Sequence, residues 1–170
     1  MKLIVACDPN GGIGYQNKLP WDKLQGDLPR FKALTMNKVI VMGRNTWESL
    51  PKKPLPGRIN YVVTSDPYSI PMHVDGSKKT TEYIPYTAST EVVYTITMDA
   101  LSHFNENACI IGGAALINSS WEYVDTIHLS RTLTEYTCDT FLDLVKLETE
   151  FTCEYKESHE DHTYEIWKRK

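Results

Sequence analysis

Asp27 is the acid with the most unusual setting in this sequence of 170 residues. If the stretch around it is helical, turning about 100° per residue, Leu24, Leu28, Phe31 and Leu34 share one face, and Asp27 falls between Leu34 and Phe31. A carboxylate inside an apolar stripe meets either a hydrogen-bond partner or a ligand. The same acid also suits a helix cap, with Pro29 in the first turn, because Asp is favoured at that position. Both readings stand at this level.

Three glycine-containing segments follow apolar runs that read as strands. Asn10-Gly11-Gly12-Ile13-Gly14 continues as loop, since Pro20 biases Leu19 away from helical geometry; it is either a lid or a glycine-rich turn. Val41-Met42-Gly43-Arg44-Asn45-Thr46 runs from strand into helix. Free backbone donors at a helix start favour an anion. Arg44 lies in the first turn, where the helix dipole disfavours a cation, so it either shares an anion with the helix end or is solvated. Ile110-Ile111-Gly112-Gly113-Ala114-Ala115 repeats the pattern, with no Cβ where backbone would approach a pyrophosphate or pack tightly on its strand. Two such junctions favour a dinucleotide or phosphorylated ligand, although the G-x-G-x-x-G fingerprint is absent.

Leu55-Pro56-Gly57 fits a type II turn that delivers Arg58 to the start of a strand. Arg58 is suited to bidentate carboxylate binding, or is simply solvated. His159-x-x-His162 has the types of a metal ligand pair but falls at a hairpin tip, and no metal is expected there. No nucleophilic triad stands out.

These residues need a scaffold that brings strand ends together. Lys2–Cys7, Val39–Met42, Ile59–Thr64, Val92–Ile96 and Ala108–Ile111 read as buried parallel strands. Helices are expected at Gly26–Met36, Arg44–Leu50, Met98–Asn105 and Ala114–Trp121. Thr126–Leu133, Phe151–Ser158 and Tyr164–Arg169 read as strands without intervening helices, the last two forming a hairpin. One short strand is expected near Tyr83-Ile84. The predicted fold is α/β: one domain over residues 1–170, a doubly wound, mostly parallel sheet of about eight strands, an antiparallel C-terminal strand and about four flanking helices.

Composition agrees with a globular chain, with 41% hydrophobic and 24% charged residues. A net charge of −4 argues against a nucleic-acid partner. Leu3–Cys7 is too short for a signal-peptide core, and no apolar stretch reaches the roughly 20 residues of a membrane span, so the expected address is the cytoplasm. Cys7, Cys109, Cys138 and Cys153 lie far apart and are expected to be buried, reduced thiols.

The ordered segments Ile13-Gly14…Leu19-Pro20-Trp21, Asp27-Leu28…Phe31-Lys32…Thr35, Val41–Leu50, Leu55–Arg58, Ile110–Gly113, Cys138–Phe141 and Tyr164–Ile166 together resemble dihydrofolate reductase. The resemblance spans nearly the whole chain and implies NADPH as cofactor and dihydrofolate as substrate, feeding one-carbon metabolism and thymidylate synthesis. It implies that Asp27 serves the pterin, supported by Leu19, Trp21 and Ser130. Ala6, Leu28, Phe31, Lys32, Leu50 and Ile111 would line the substrate, and Arg58 would hold the glutamate tail. Ile13, Gly14, Gly43, Asn45, Thr46, Gly112, Gly113, Ala114 and Ala115 would meet the cofactor. Arg44, Thr64 and Ser65 would hold its 2′-phosphate. The resemblance also implies a cis Gly112–Gly113 peptide and a monomer.

Ser130 stands where the family usually has a threonine, and Ile117 where it often has a tyrosine. The segment Asp66–Glu91 has no clear family counterpart. Two other readings share this fold: a reductase of riboflavin synthesis, which does not need the Pro20-Trp21…Asp27 set, and a non-catalytic binding or structural protein.

Overall fold

The computed structural model describes residues 1–65, 91–95 and 107–170, with only the backbone path given for 91–95. The strand expected near Tyr83-Ile84 and the helix expected at Met98–Asn105 lie outside the described residues. In chain order the elements are β1 (Lys2–Cys7), β2 (Gly12–Gly14), α1 (Asp27–Thr35), β3 (Val39–Gly43), α2 (Arg44–Ser49), β4 (Ile59–Val63) and β5 (Glu91–Thr95). There follow β6 (Ala108–Gly112), α3 (Ala114–Ser120), β7 (Thr126–Thr132), β8 (Thr140–Phe141), α4 (Leu144–Glu150), β9 (Phe151–Ser158) and β10 (His162–Arg169).

The chain forms two compact units: Met1 with Thr35–Tyr123, and Lys2–Leu34 with Val124–Lys170. In the first, the strands run β5-β4-β3-β6 and every neighbouring pair is parallel. Val39, Ile40, Val41 and Met42 are all buried, as are Ile59, Asn60, Tyr61 and Val62, so consecutive residues on both faces are covered. That burial is why these strands read as unbroken apolar runs.

The second unit has the order β1-β7-β10-β9. β1 and β7 are parallel; β7–β10 and β10–β9 are antiparallel, as expected for the C-terminal hairpin. His159 N–H donates to the His162 carbonyl at 2.8 Å and closes that turn. Together these two ladders hold eight strands among the described residues.

Three elements were not foreseen. β2 and β8 form a two-stranded antiparallel ladder. α4 is started by Asp143, whose Oδ1 accepts from Lys146 N–H at 2.9 Å, and it is pinned by the buried Leu147. An Asp before a leucine pair three residues apart is the signal that marks α4.

One buried group gives the fold a pH dependence. His128 on β7 is 8% exposed; its Nδ1 lies 2.6 Å from the Tyr164 hydroxyl, and Nε2 has no partner among the described residues. Burial first, and then the charges of Lys2 and Lys168, lower its pKa from 6.5 to about 4. Between those values the unfolded chain holds a proton that the folded chain does not. His128 therefore costs no stability above the unfolded value, and stability falls as pH drops toward the folded one, by up to about 3 kcal/mol. Urea unfolding of wild type and His128→Phe across this range should show a shallower loss on acidification in the variant. Parallel profiles would remove His128 as the cause.

Candidate active site

α1 begins at Asp27, whose N–H donates to the Leu24 carbonyl. The Asp27 carboxylate accepts from the Ser130 hydroxyl at 2.5 Å, and among the described residues no helix N–H bonds it. The side chain is thus committed to the sheet, and the cap reading falls away. Ser130 is 5% exposed and sits opposite Ala6 of β1 and Tyr164 of β10. Directly opposed residues share a sheet face, so Asp27 meets the centre of a three-residue row.

Leu24 is buried but lies in the loop before α1. Leu28 remains 56% exposed, Phe31 and Leu34 are half-buried, and Lys32 is exposed. The apolar stripe around the acid therefore keeps surface that a flat, partly apolar ligand can cover.

Before α1, Asp8 roots the glycine loop: Oδ1 accepts from Asn10 N–H and Gly12 N–H, and Oδ2 from Tyr136 N–H at 3.0 Å. A Cβ on Gly11, whose φ is +84°, would stand 2.7 Å from the Leu142 carbonyl oxygen, and one on Gly12 would strike the Cys138 sulfur. These two glycines serve packing against 138–142. Beyond them Ile13 and Gly14 are half-buried, and Tyr15 and Lys18 pair around Gln16 and Asn17, both at positive φ. Gln16 N–H bonds Asp139 Oδ2 at 2.8 Å. Leu19 is 62% exposed, whereas Trp21 is buried edge-on to Tyr136.

In the other unit, β3 delivers Gly43 to α2 and β6 delivers Gly112 and Gly113 to α3. Met42 and Gly112 are register partners, and the Gly112–Gly113 peptide is cis, as expected. A Cβ on Gly112 would lie 3.1 Å from Thr46 Oγ1, one on Gly113 3.3 Å from the same atom, and one on Gly43 3.7 Å from Gly113 N. The two strand ends therefore meet around Thr46. Neither Gly43 nor Gly113 caps its helix through a side chain. This bare main-chain surface suits a pyrophosphate.

Arg44 Nε donates to Glu48 Oε1 at 2.8 Å, and Asn45 and Ala115 are exposed beside it in sequence and at the α3 start respectively. Ala114, Leu50 and Ile111 are half-buried; after β4, Thr64 is buried and Ser65 exposed. Ile117 is buried, its N–H bonded to the Gly113 carbonyl.

Arg58 departs from the reading of a solvated turn arginine. It is 5% exposed, donating to the Pro56 carbonyl and to Thr35 Oγ1, both at 3.0 Å. It has no carboxylate partner among the described residues, and burial lowers its pKa. A buried guanidinium without an anion is the setting in which a ligand carboxylate binds well. The preceding Gly57, at φ +70°, supplies the third position of the expected type II turn.

The cysteines need one correction. None of the four is in a disulfide, but Cys153 is exposed and Cys138 only half-buried; Cys7 and Cys109 are buried, and burial pushes the Cys7 thiol up to about 12. Cys153 lies on β9, where every residue after Phe151 is exposed. Sequence reasoning also missed Asp8 and Arg30, whose partners lie more than a hundred residues away.

One unit thus carries an acid over a sheet serine, and the other a glycine-walled junction of two strand ends. The dihydrofolate reductase family profile matches residues 1–169. "Dihydrofolate reductase type 8" of Escherichia coli is 35% identical over 175 residues, covering all of this chain and 96% of that protein. A dihydrofolate reductase of Buchnera aphidicola is 33% identical over 147 residues, covering 86% of this chain and 81% of its own. A solved dihydrofolate reductase from Enterococcus faecalis, complexed with NADP(H), shares the fold at a TM-score of 0.71 and 24% identity, covering 99% of this chain and 95% of that one. This chain belongs to the dihydrofolate reductase family.

Gly112 tests the cradle. Its φ of +133° and the 3.1 Å approach to Thr46 Oγ1 both oppose a side chain. Gly112→Ala should destabilise the fold by about 1–3 kcal/mol, measured by thermal melting. Adding Thr46→Ala should recover only the part due to the close approach. Full recovery would show that the backbone conformation costs an alanine nothing.

Proposed function

We propose that this chain reduces 7,8-dihydrofolate to 5,6,7,8-tetrahydrofolate at the expense of NADPH. The reading rests on the Asp27 carboxylate, held by Ser130 on a helix face that keeps apolar surface around it. NADPH, when bound, supplies the hydride accepted at C6 of the substrate, while N5 gains a proton.

Asp27 holds the pterin ring by its amidine-like edge, and its negative charge favours the protonated, more electrophilic substrate. Ser130 keeps the carboxylate oriented. Leu19 and Trp21 exclude water from the reacting atoms. Ala6, Leu28, Phe31, Leu50 and Ile111 pack on the substrate, Lys32 lies toward its tail, and Arg58 pairs with the tail carboxylate. Thr46, Gly112 and Gly113 hold the cofactor through their main chain and hydroxyl, flanked by Ile13, Gly14, Gly43, Asn45, Ala114 and Ala115. Arg44, Thr64 and Ser65 take the 2′-phosphate, for which Arg44 exchanges its Glu48 partner. The protein acts as one monomeric domain in the cytoplasm; no helix among the described residues is long and apolar enough to cross a membrane.

Loss of NADPH absorbance on adding dihydrofolate is the direct assay. Consumption that depends instead on a riboflavin-pathway intermediate, or no consumption, would overturn the proposal in favour of one of the two readings that share the fold.

Cofactor choice follows from Arg44. Removing a charge-assisted contact costs about 1.5–3 kcal/mol, so Arg44→Ala should weaken NADPH far more than NADH in binding titrations. Equal weakening would mean that Arg44 does not read the phosphate.

Asp27→Asn keeps shape and most hydrogen bonding but removes the charge. Near neutral pH kcat/KM should fall on the order of 10²-fold or more. The deficit should shrink as pH drops and the substrate takes its proton without the enzyme's help. Superimposable pH profiles, or a variant that only melts earlier, would take Asp27 out of the chemistry.

A further inference from the structure

Arg30 lies one turn beyond Asp27 on α1 and is absorbed by none of the roles above. Its guanidinium reaches the β9–β10 turn, with Nη2 3.0 Å from His159 Nε2 and Nη1 3.4 Å from His162 Nε2. The same group lies 3.9 Å from the centroid of the Tyr164 ring. A guanidinium only donates, so a hydrogen bond from Arg30 uses the Nε2 lone pair of a ring, which for His162 leaves Nδ1 as the protonated nitrogen. His162 Nδ1–H then has its acceptor in Asp161 Oδ1 at 2.6 Å. The two rings stack in parallel with centroids 4.5 Å apart, which aims both lone pairs at one fork. Glu157 Oε1 lies 3.2 Å from the same His159 nitrogen, so that ring sits between a cation and an anion. His159 thus shares its Nε2 between Arg30 and Glu157, while His162 Nε2 faces Arg30.

The turn grips α1 at a second point. Asp161 Oδ2 accepts from Gln25 N–H at 2.8 Å, two residues before the acid. Asp27 is thus bracketed: Gln25 is tied on one side and Arg30 on the other, with Ser130 between. Tyr164, on which Arg30 rests, is the cross-strand partner of Ser130. The cation's platform and the acid's hydrogen-bond donor are therefore neighbours on one sheet face. His162 is fully buried, so this clamp has a fixed base.

We propose that Arg30 is a positioning residue for the reduction: by joining both histidines of the β9–β10 turn it fixes the first turn of α1 and keeps the Asp27 carboxylate on Ser130. The proposal rests on the dihydrofolate reductase reading. A lysine cannot replace Arg30, because one ammonium lacks the planar fork that meets two ring nitrogens.

The test is a double-mutant cycle on single-turnover hydride transfer, with enzyme in excess so that slow rates remain measurable. Arg30→Met should slow transfer by about tenfold or more, leaving NADPH affinity unchanged, and Arg30→Lys should not restore it. In an Asp27→Asn background the same substitution should change the rate little, since Arg30 acts through the acid. Equal fractional losses in both backgrounds, or a lower melting temperature with an unaltered rate, would overturn the proposal. If Arg30→Met does not fold, His159 carries the contrast: His159→Leu should slow transfer and His159→Gln, a neutral acceptor, should not; equal rates would overturn it. If the wild type does not reduce dihydrofolate, the functional reading fails on its own. The docking is then read from the Nε2 15N shifts of His159 and His162, which should move in Arg30→Met as the guanidinium's contacts with those nitrogens are lost. Unchanged shifts would refute the clamp.

Discussion

A carboxylate can stay on the apolar side of a helix only where the surface beneath offers it a donor, because an ionised oxygen without one is too costly to bury even in part. Ser130 is that donor, and much of the second unit can be read from this one bond. It requires β7 to present a hydroxyl at the middle of the row Ala6–Ser130–Tyr164, flanked by a small residue on one side and an aromatic on the other. It requires α1 to begin at the acid itself, which the loop before it achieves by passing through Gly26 at φ +76°. The helix that results is short, nine residues, and its only fully buried side chain is Thr35 at the far end. Propensity and burial hold such a helix weakly, so its polar ties to the sheet matter more than its length.

The first unit solves a different problem. Parallel strands buried on both faces cannot carry polar side chains into a binding site along their length, so the chemistry has to sit at their ends. Gly43 and Gly112 are those ends, and among the described residues Thr46 is the side chain that methyls added at Gly112 and Gly113 would meet. Main chain and a short hydroxyl meet at that junction, while Arg44 opens α2 just after β3 and Arg58 precedes β4 at the other end of the ladder.

Periodicity exposed the elements of this fold well where burial is continuous. The runs at Val39 and Ile59 announced β3 and β4, and the hairpin was legible because the turn residues 157–162 separate two strands of opposite direction. Short elements escaped. β8 has two residues, too few for any period, and α4 hides its pattern in seven. The acid Asp27 was visible as an anomaly, but two readings remained until its partner, 103 residues away, was placed. Arg58 kept two readings for a related reason: a turn arginine is usually solvated, and its contact with Thr35, 23 residues earlier, is not visible in the local sequence. The Arg30 clamp had no local signal, since its partners are 129 and 132 residues distant. Long-range polar pairs carry no period, and one sequence alone cannot reveal them.

The exposure of β9 has a consequence for life in a crowded solution. This strand closes one end of its ladder, and every side chain after Phe151 faces solvent. A free strand rim of eight residues is a template on which a second chain could add itself, the first step toward fibres. Glu154, Lys156 and Glu157 place charges of both signs along that rim, and Lys156 already leans back to Glu165 at 3.3 Å. An incoming strand would have to strip water from these groups and match their alternation, so the rim's own side chains discourage self-association.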